Sequence, residues 1–337
     1  MSGWLESLPE DQRRRLVKAP QPEWEEPMLA TLTRDYFPDH GWVFGRKLDG
    51  VRCITYRRGG QVRLMSRNRH EMSASFPEVK EALQAMPPGD YILDGEVVAF
   101  SDGRTEFQML QPRMGVPGPE QARATGVPIF YYLFDILYLD GHDLTGLWLI
   151  YRKQVLEQAI PYGDPIRFVE DRRGDGLAYF KEACSKGWEG LIARRADSTY
   201  QHRRSDDWLK FKCTSRQEFV IGGYTEPRGK RICFGALLLG YYDRGRLMYA
   251  GKVGTGFDDE ALARLKKLFA PLEQHASPFD EAIDEKEVHW LQPGLVAEIG
   301  FENWTGGGKL RQPRFRGLRY DKDPRSVVRE ARAGGRP

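Results

Sequence analysis

The sequence contains no CxxC pair. Its four cysteines, Cys53, Cys184, Cys213 and Cys233, are scattered, which argues against both a zinc ribbon and a disulfide framework and makes a reducing cytoplasm the simpler setting. The first eighteen residues, MSGWLESLPEDQRRRLVK, contain no apolar core of the kind a signal peptide needs. Apolar runs are short, ALLLGYY at 236–242 being among the longest, so no membrane span is expected. There is no repeat of fixed period and no low-complexity tract. With 29% charged residues balanced at a net +3, and 40% hydrophobic residues including 12% aromatics, whole-chain disorder is excluded too. What is present is enough apolar material for two ordinary domains in 337 residues.

Residues 1–27 are polar and proline-containing and read as an N-terminal arm. Strand signals follow quickly: WVFGRKL, VRCITYRR, and QVRLMSR after the Gly59-Gly60 turn. PEVKEALQAM (77–86) has helical spacing and stops at Pro87-Pro88, and GLAYFKEACSKGW (176–188) reads as a helix closed at Gly187. YILDGEVVAF, PIFYYLFDILYLDG, GLIARR and WLKFK read as strands. The texture changes between residues 213 and 217. Beyond it, several strands, glycine-rich turns and one helix near 258–270 suit a small β-barrel such as an OB-fold. The expected organisation is an arm over 1–27, an α+β domain of antiparallel sheets around a cleft over 28–215, and a barrel over 216–337.

Single motifs in this chain are weak signals. FGRKLDGVRC (44–53) can be a surface hairpin with a DG turn. Asp94 and Glu96 interrupt an apolar strand, where buried carboxylates need partners or a metal. Lys210 and Lys212 share one face of a strand and repel unless an anion lies between them. In order, however, KLDGVR, SRNRHE, LDGEVVAF, LFDILY, WEGLIARR, WLKFK and RYDK make the chain resemble the covalent nucleotidyltransferases: DNA ligases, RNA ligases and mRNA-capping enzymes. The resemblance runs from residue 28 to about 324. It is strongest to the small bacterial ATP-dependent DNA ligases, including the ligase module of end-joining proteins, on PMLAT (27–31) and LRQPRFRGLRYDK.

That resemblance implies a nucleotidyltransferase domain with an ATP cleft, followed by an OB-fold, and phosphoryl transfer through a covalent intermediate. Lys47 would attack the α-phosphate of ATP, the AMP donor. A lysine near its usual pKa of about 10.4 is protonated, and Arg52, Lys210, Lys212 and Mg²⁺ (or Mn²⁺) are the cations expected to lower it. Arg52 and Arg67 would hold ribose and phosphate, Glu96 a ribose hydroxyl or the metal, Phe134 the adenine face, Glu189 the metal, and Lys210 and Lys212 the α-phosphate. Arg204 would reach the nucleotide. Arg319, Asp321 and Lys322 would orient the leaving pyrophosphate when the domains close over ATP. The partner is nicked double-stranded DNA, gripped by its backbone through Arg57–Arg58, residues 63–69, Arg194–Arg195, Arg203–Arg204, Lys309, Arg311, Arg314, Arg316 and Arg319. A repair or end-joining partner protein or a flexible loop is expected to help clamp it, since 46 residues before Lys47 leave no room for a large DNA-binding domain. A monomer is expected, with no membrane.

One position departs from the pattern. Two residues before the lysine, such relatives usually carry a glutamate that accepts a hydrogen bond from the adenine amino group; this chain has Gly45. Two readings stay open. A backbone carbonyl or water takes over with a modest loss of ATP affinity, or base choice relaxes and GTP competes better. Two other functions share part of the motif set, an RNA ligase or capping-type guanylyltransferase, and a nucleic-acid-binding module without catalysis.

Overall fold

The computed structural model describes residues 3–33, 35–213, 215–227 and 232–330. Thr214, inside the expected domain boundary, and residues 331–337, at the end of the expected barrel, lie outside them. The chain forms two compact units that part after Cys213.

The first unit is α+β and holds two large sheets. One runs in the order Val17–Lys18, His142–Asp143, Phe130–Leu139, Tyr91–Val98, Val51–Arg58, Gln61–Ser66, with Ile166–Phe168 added alongside Phe130–Leu139. The other runs Asp171–Gly174, Asp39–Arg46, Gly190–Arg195, Arg204–Lys212, Leu29–Thr33. Most pairings are antiparallel; Ile166–Phe168 and Leu29–Thr33 join their neighbours in parallel.

Side-chain alternation decides what each face carries. Phe44, Leu191, Ala193, Leu209 and Phe211 of the five-stranded sheet pack with Tyr179 and Ala183 of the helix Gly176–Ser185. The opposite face of that sheet therefore carries Gly45, Lys47, Arg194, Trp208, Lys210 and Lys212. Trp208 lies in a cluster with Ile54, Ile92 and Phe134 of the seven-stranded sheet, so this second face looks toward that sheet. Arg52 lies two residues from Ile54, and Asp94 and Glu96 two and four from Ile92, so they share that face and point into the same interval.

Behind the seven-stranded sheet, the helix Leu149–Ala159 places Arg152 against Asp135. Both are fully buried, and the pair is bidentate, Nε to Oδ1 at 2.8 Å and Nη2 to Oδ2 at 2.9 Å. Leu147 O and Ser198 O accept from the remaining nitrogen.

The cysteines need a correction. Cys184, in the last turn of the helix Gly176–Ser185, and Cys213, just past the strand Arg204–Lys212, form a disulfide with Cα atoms 5.3 Å apart. Their sequence separation of 29 carries no motif; the helix-on-sheet packing brings them together.

The second unit is built on two long antiparallel strands, Ser215–Thr225 and Val288–Phe301, paired almost throughout. Its sheet runs Arg246–Val253, Leu237–Asp243, Ser215–Thr225, Val288–Phe301, Glu273–Gln274, with Arg314–Leu318 also on Val288–Phe301. Register shifts at Ile221/Gly223, Leu239/Gly240 and Glu298/Ile299 mark the bulges that let long strands coil. The helix Asp259–Phe269 is capped by Asp258, whose Oδ1 accepts from the Ala261 amide at 2.7 Å. It buries Leu262, Leu265 and Phe269, an i, i+3, i+7 stripe, on the sheet.

Removing half of the Asp135–Arg152 pair strands a buried charge. Arg152→Met is expected to lower the unfolding free energy by about 3–5 kcal/mol, read as a lower urea midpoint. The double variant Asp135→Leu/Arg152→Met should recover most of that loss.

Candidate active site

The stretch KLDG is not the tip of a hairpin. The strand Asp39–Arg46 belongs to the five-stranded sheet and Val51–Arg58 to the seven-stranded one, so residues 47–50 are the crossing between the two sheets. The chain bends at Gly50, where a Cβ would lie 2.2 Å from Val97 O. The amide of Asp49 donates to Thr105 Oγ1 at 3.1 Å, and that of Lys47 to Gly190 O at 2.9 Å. The backbone is thereby anchored at Lys47 itself and two residues beyond it. Gly190 itself sits at φ +147°, and a Cβ there would lie 1.8 Å from Phe211 O. No other residue fits between the strands at the point where Glu189 leaves the sheet.

Lys47 Nζ donates to Glu189 Oε2 at 2.5 Å. The two side chains are 17% and 6% exposed. Burial works against the ammonium, but the charge of Glu189, with Asp49 and Glu96 adding to it, outweighs burial and holds the pKa above the ordinary lysine range. This corrects the sequence-based expectation of cations lowering that pKa. Arg52, one of those cations, is taken up elsewhere. It makes a bidentate pair with the fully buried Asp94, whose Oδ2 also accepts from Tyr200 Oη at 2.7 Å. Burial opposes the Arg52 charge and Asp94 more than restores it.

Arg52 also covers an aromatic wall. Its Cζ lies 4.6 Å from the Phe134 ring centroid, and Arg194 Cζ lies 5.0 Å from the same centroid. Trp208 stands edge-on to Phe134 at 6.1 Å. Phe134 is 5% exposed, a core residue by burial that nonetheless fronts the interval between the sheets. Glu96 stands opposite Arg52 in register. Lys210 pairs with Ile192 and Lys212 with Gly190, so Lys212 lies at the end of its strand nearest Lys47 and Glu189. Arg67 is in the turn after the strand Gln61–Ser66, where Ser66 Oγ accepts from the amides of Asn68 and His70. Arg204 begins the strand Arg204–Lys212 and donates to Ala30 O at 2.5 Å, two residues from the Met28 carbonyl that Arg52 reaches at 3.3 Å.

In the second unit, Arg319 is buried between Asp321, at 2.8 Å, and Glu298, at 3.1 Å. Lys322 Nζ meets Glu218 at 3.0 Å. Burial opposes both charges of the Arg319–Asp321 pair, and each partner more than restores the other.

Among the described residues no cluster of three or more His, Cys, Asp or Glu side chains is placed to hold a metal alone. Three carboxylates, Glu189, Asp49 and Glu96, act on Lys47. Such a hard-oxygen donor set suits Mg²⁺ or Mn²⁺ sharing its remaining positions with phosphate and water.

Several arginines expected on a DNA-facing surface are not there. Arg57, 4% exposed, donates to the carbonyls of Pro87, Gly89 and Met86. Arg194 is 3% exposed, and Arg319 is tied down as above. Charge alone does not tell a long side chain which way to point. Sequence reasoning also passed over Tyr200, Trp208 and Asp171; only a pattern of buried polar side chains distinguishes them, and burial is not written in a motif. No helix among the described residues is long and apolar enough to cross a membrane.

Comparison with known proteins gives a consistent result. The family profile of the ATP dependent DNA ligase domain matches residues 27–212, and that of the ATP dependent DNA ligase C terminal region matches residues 230–322. The chain is 40% identical over 330 residues, 95% of its length, to the multifunctional non-homologous end joining protein LigD of Pseudomonas aeruginosa. It is 40% identical over 313 residues, 90% of its length, to the non-homologous end joining DNA repair protein LigD of Mycobacterium tuberculosis. It spans only 38% and 40% of those two proteins. A solved structure described as mycobacterial DNA ligase D complexed with ATP and MES superposes with a TM-score of 0.64 at 36% identity, covering 91% of this chain and 98% of that one. The α+β unit and the barrel-type unit are thus a nucleotidyltransferase domain and an OB-fold domain.

The raised pKa of Lys47 gives a direct check. Stabilisation from its pairing is fully present below the ordinary lysine value of about 10.4 and is lost only as pH climbs through the raised folded value. Glu189→Gln removes the principal cause. At pH 9, amine-directed labelling of Lys47, read by peptide mass spectrometry, is expected to be several-fold faster in the variant than in the parent.

Proposed function

The chain belongs to the ATP-dependent DNA ligase family, and on that premise we propose that it seals 5′-phosphate/3′-hydroxyl nicks in duplex DNA through a lysyl-AMP intermediate on Lys47. The observation that carries this reading is the placement of Lys47. The amine stands at the crossing between two sheets, paired to Glu189 and facing the interval that Phe134 fronts.

In the first step an N–P bond forms between Lys47 Nζ and the α-phosphorus of ATP, and the bond to the pyrophosphate oxygen breaks. Nζ attacks as the free amine, so the proton it shares with Glu189 has to leave. Withdrawing Glu189 from Lys47 lowers the amine's pKa toward the range in which it reacts. Glu96 and Glu189 are the residues that would hold Mg²⁺ or Mn²⁺, whose contribution there is neutralisation of phosphate charge. Lys210 and Lys212 take the α-phosphate, Arg52, Arg67 and Arg204 the ribose and phosphates, and Phe134 the flat face of the purine. Arg319, Asp321 and Lys322 act on the leaving pyrophosphate. For Arg52 this role requires exchanging Asp94 for the nucleotide. In the second step AMP passes to the 5′-phosphate of the nick, and in the third the 3′-hydroxyl displaces AMP.

Similarity to the end-joining relatives supports repair of broken DNA as the setting, in which the chain would act as a cytoplasmic monomer beside an end-joining partner. DNA is held by its backbone, independent of sequence. With about six phosphate contacts, binding to a nicked duplex should weaken about a thousandfold between 50 and 200 mM salt; a flat salt response would rule out a backbone grip.

The central test is labelling with α-³²P-ATP. The native chain should acquire one acid-labile phosphoramidate, Lys47→Ala none, and the labelled protein should pass its AMP to nicked DNA. Label that persists in Lys47→Ala overturns the assignment. Transfer to nicked RNA in preference to nicked DNA favours the RNA-ligase reading instead.

A further inference from the structure

Gly45 is not an empty position. It pairs in register with Asp171 on the neighbouring strand Asp171–Gly174. A Cβ on residue 45 would stand 2.3 Å from Asp171 Oδ1, 3.0 Å from Arg194 Nη1 and 3.4 Å from Val169 Cγ1. The missing side chain is what lets the Asp171 carboxylate lie over the strand. Residues 45 and 47 share a face, about 6.6 Å apart along it. A carboxylate from the adjacent strand therefore stands two residues from Lys47, on the side that faces Phe134.

This carboxylate is held in place. Lys153 Nζ lies 2.7 Å from its Oδ2, and the two side chains are 11% and 7% exposed. Lys153 is steadied in turn by Val169 O at 2.8 Å. Arg194 Nη1 lies 3.5 Å from Oδ1, at the limit of a hydrogen bond, and Oδ2, though ion-paired, accepts no well-aligned hydrogen bond, so the carboxylate keeps acceptor capacity. Arg194 links Asp171 to the aromatic wall, its Cζ being 5.0 Å from the Phe134 centroid and 4.9 Å from that of Trp208. Two donors here, Arg194 Nε and Trp208 Nε1, are buried without a hydrogen-bond partner among the described residues. Buried polar atoms in native proteins are almost always paired. Unpaired donors and a spare acceptor around an aromatic face describe a site for a flat, polar heterocycle.

We propose that Asp171 selects the nucleobase, accepting a hydrogen bond from the exocyclic 6-amino group of a purine that lies on Phe134. A 6-keto purine presents an oxygen at that place and is repelled by the carboxylate, whereas N3 and N7, acceptors in either base, suit the donors of Arg194 and Trp208. The inference rests on the reading of Lys47 as the AMP acceptor, which fixes where the nucleotide's phosphate lies. It also accounts for Gly45: a glutamate at that position would collide with the carboxylate already there.

The test compares ATP with GTP in the full chain, by covalent labelling and, separately, by equilibrium competition for the noncovalent complex. Asp171→Asn offers an amide that can turn either end to the base. It should cut the ATP-to-GTP preference by about 10- to 100-fold, the range of a hydrogen bond to a charged acceptor, chiefly through KM for ATP. Gly45→Ala leaves every charge in place and displaces the carboxylate, and it should shift the preference in the same direction. An unchanged ATP-to-GTP ratio in both variants, or an equal loss with both nucleotides, overturns the proposal, because a structural role would weaken the two alike. If the native chain takes no label but binds ATP over GTP, and Asp171→Asn abolishes that preference, the lysine assignment falls and the base-selecting role of Asp171 stands.

Discussion

The contact on which the rest of the first unit depends is the ion pair between Lys47 and Glu189, side chains 142 residues apart in the chain. Neither residue lies inside a strand. Lys47 follows the last residue of Asp39–Arg46, and Glu189 precedes the first residue of Gly190–Arg195, its antiparallel neighbour. The pair forms because those strands are in register, with Leu191 opposite Arg46, and because Gly190 lets Phe211 O approach where any side chain would stand. Burial makes the pair strong and also makes it an obstacle. Burial alone disfavours the ammonium, but the charge of Glu189 at short range outweighs it and keeps the amine protonated. On the role proposed for Lys47, the pair is a resting form, and reaction would require Glu189 to find another partner.

Much of the site was legible in the sequence for a physical reason. Charged residues inside apolar strands are costly unless paired, so Asp94 and Glu96 within YILDGEVVAF and the two lysines of WLKFK stood out against their surroundings. Their convergence follows from period-two alternation, once the packing of Phe44, Leu209 and Phe211 on the helix Gly176–Ser185 fixes which face is which. The α+β class and the strand-rich second unit were equally readable from periodicity and turn residues. Other features were hidden. The DG signature suggested a hairpin because turn chemistry is local, whereas membership of one sheet or two is a property of the whole topology. Arg57 and Arg194 looked like surface charge because composition does not record burial. Asp171 had no motif at all; its position opposite Gly45 depends on a strand pairing that no local pattern encodes.

The second unit shows the same limit in another form. RYDK reads as four polar residues available to a ligand, yet Arg319 donates to Asp321 and also to Glu298 on the strand Val288–Phe301. Any work these side chains do on a nucleotide is done by a cluster already ordered by its own strand. Such a cluster costs little further side-chain entropy to engage, but its charges are partly spent before a ligand arrives.

The crossing at residues 47–50 has a counterpart. The chain leaves the five-stranded sheet there, builds the seven-stranded sheet, and returns at Asp171–Gly174, whose first residue pairs with Gly45. The early strands Leu29–Thr33 and Asp39–Arg46 therefore wait unpaired until the later half of the unit has been made. Long-range pairing of this kind is slow, because loop-closure entropy must be overcome before any contact is gained. The consequence falls on a chain still emerging from the ribosome. It has its lysine and half of its aromatic wall, but no Glu189, no Asp171 and no partner strands, so the candidate site is assembled only when synthesis of the unit is complete.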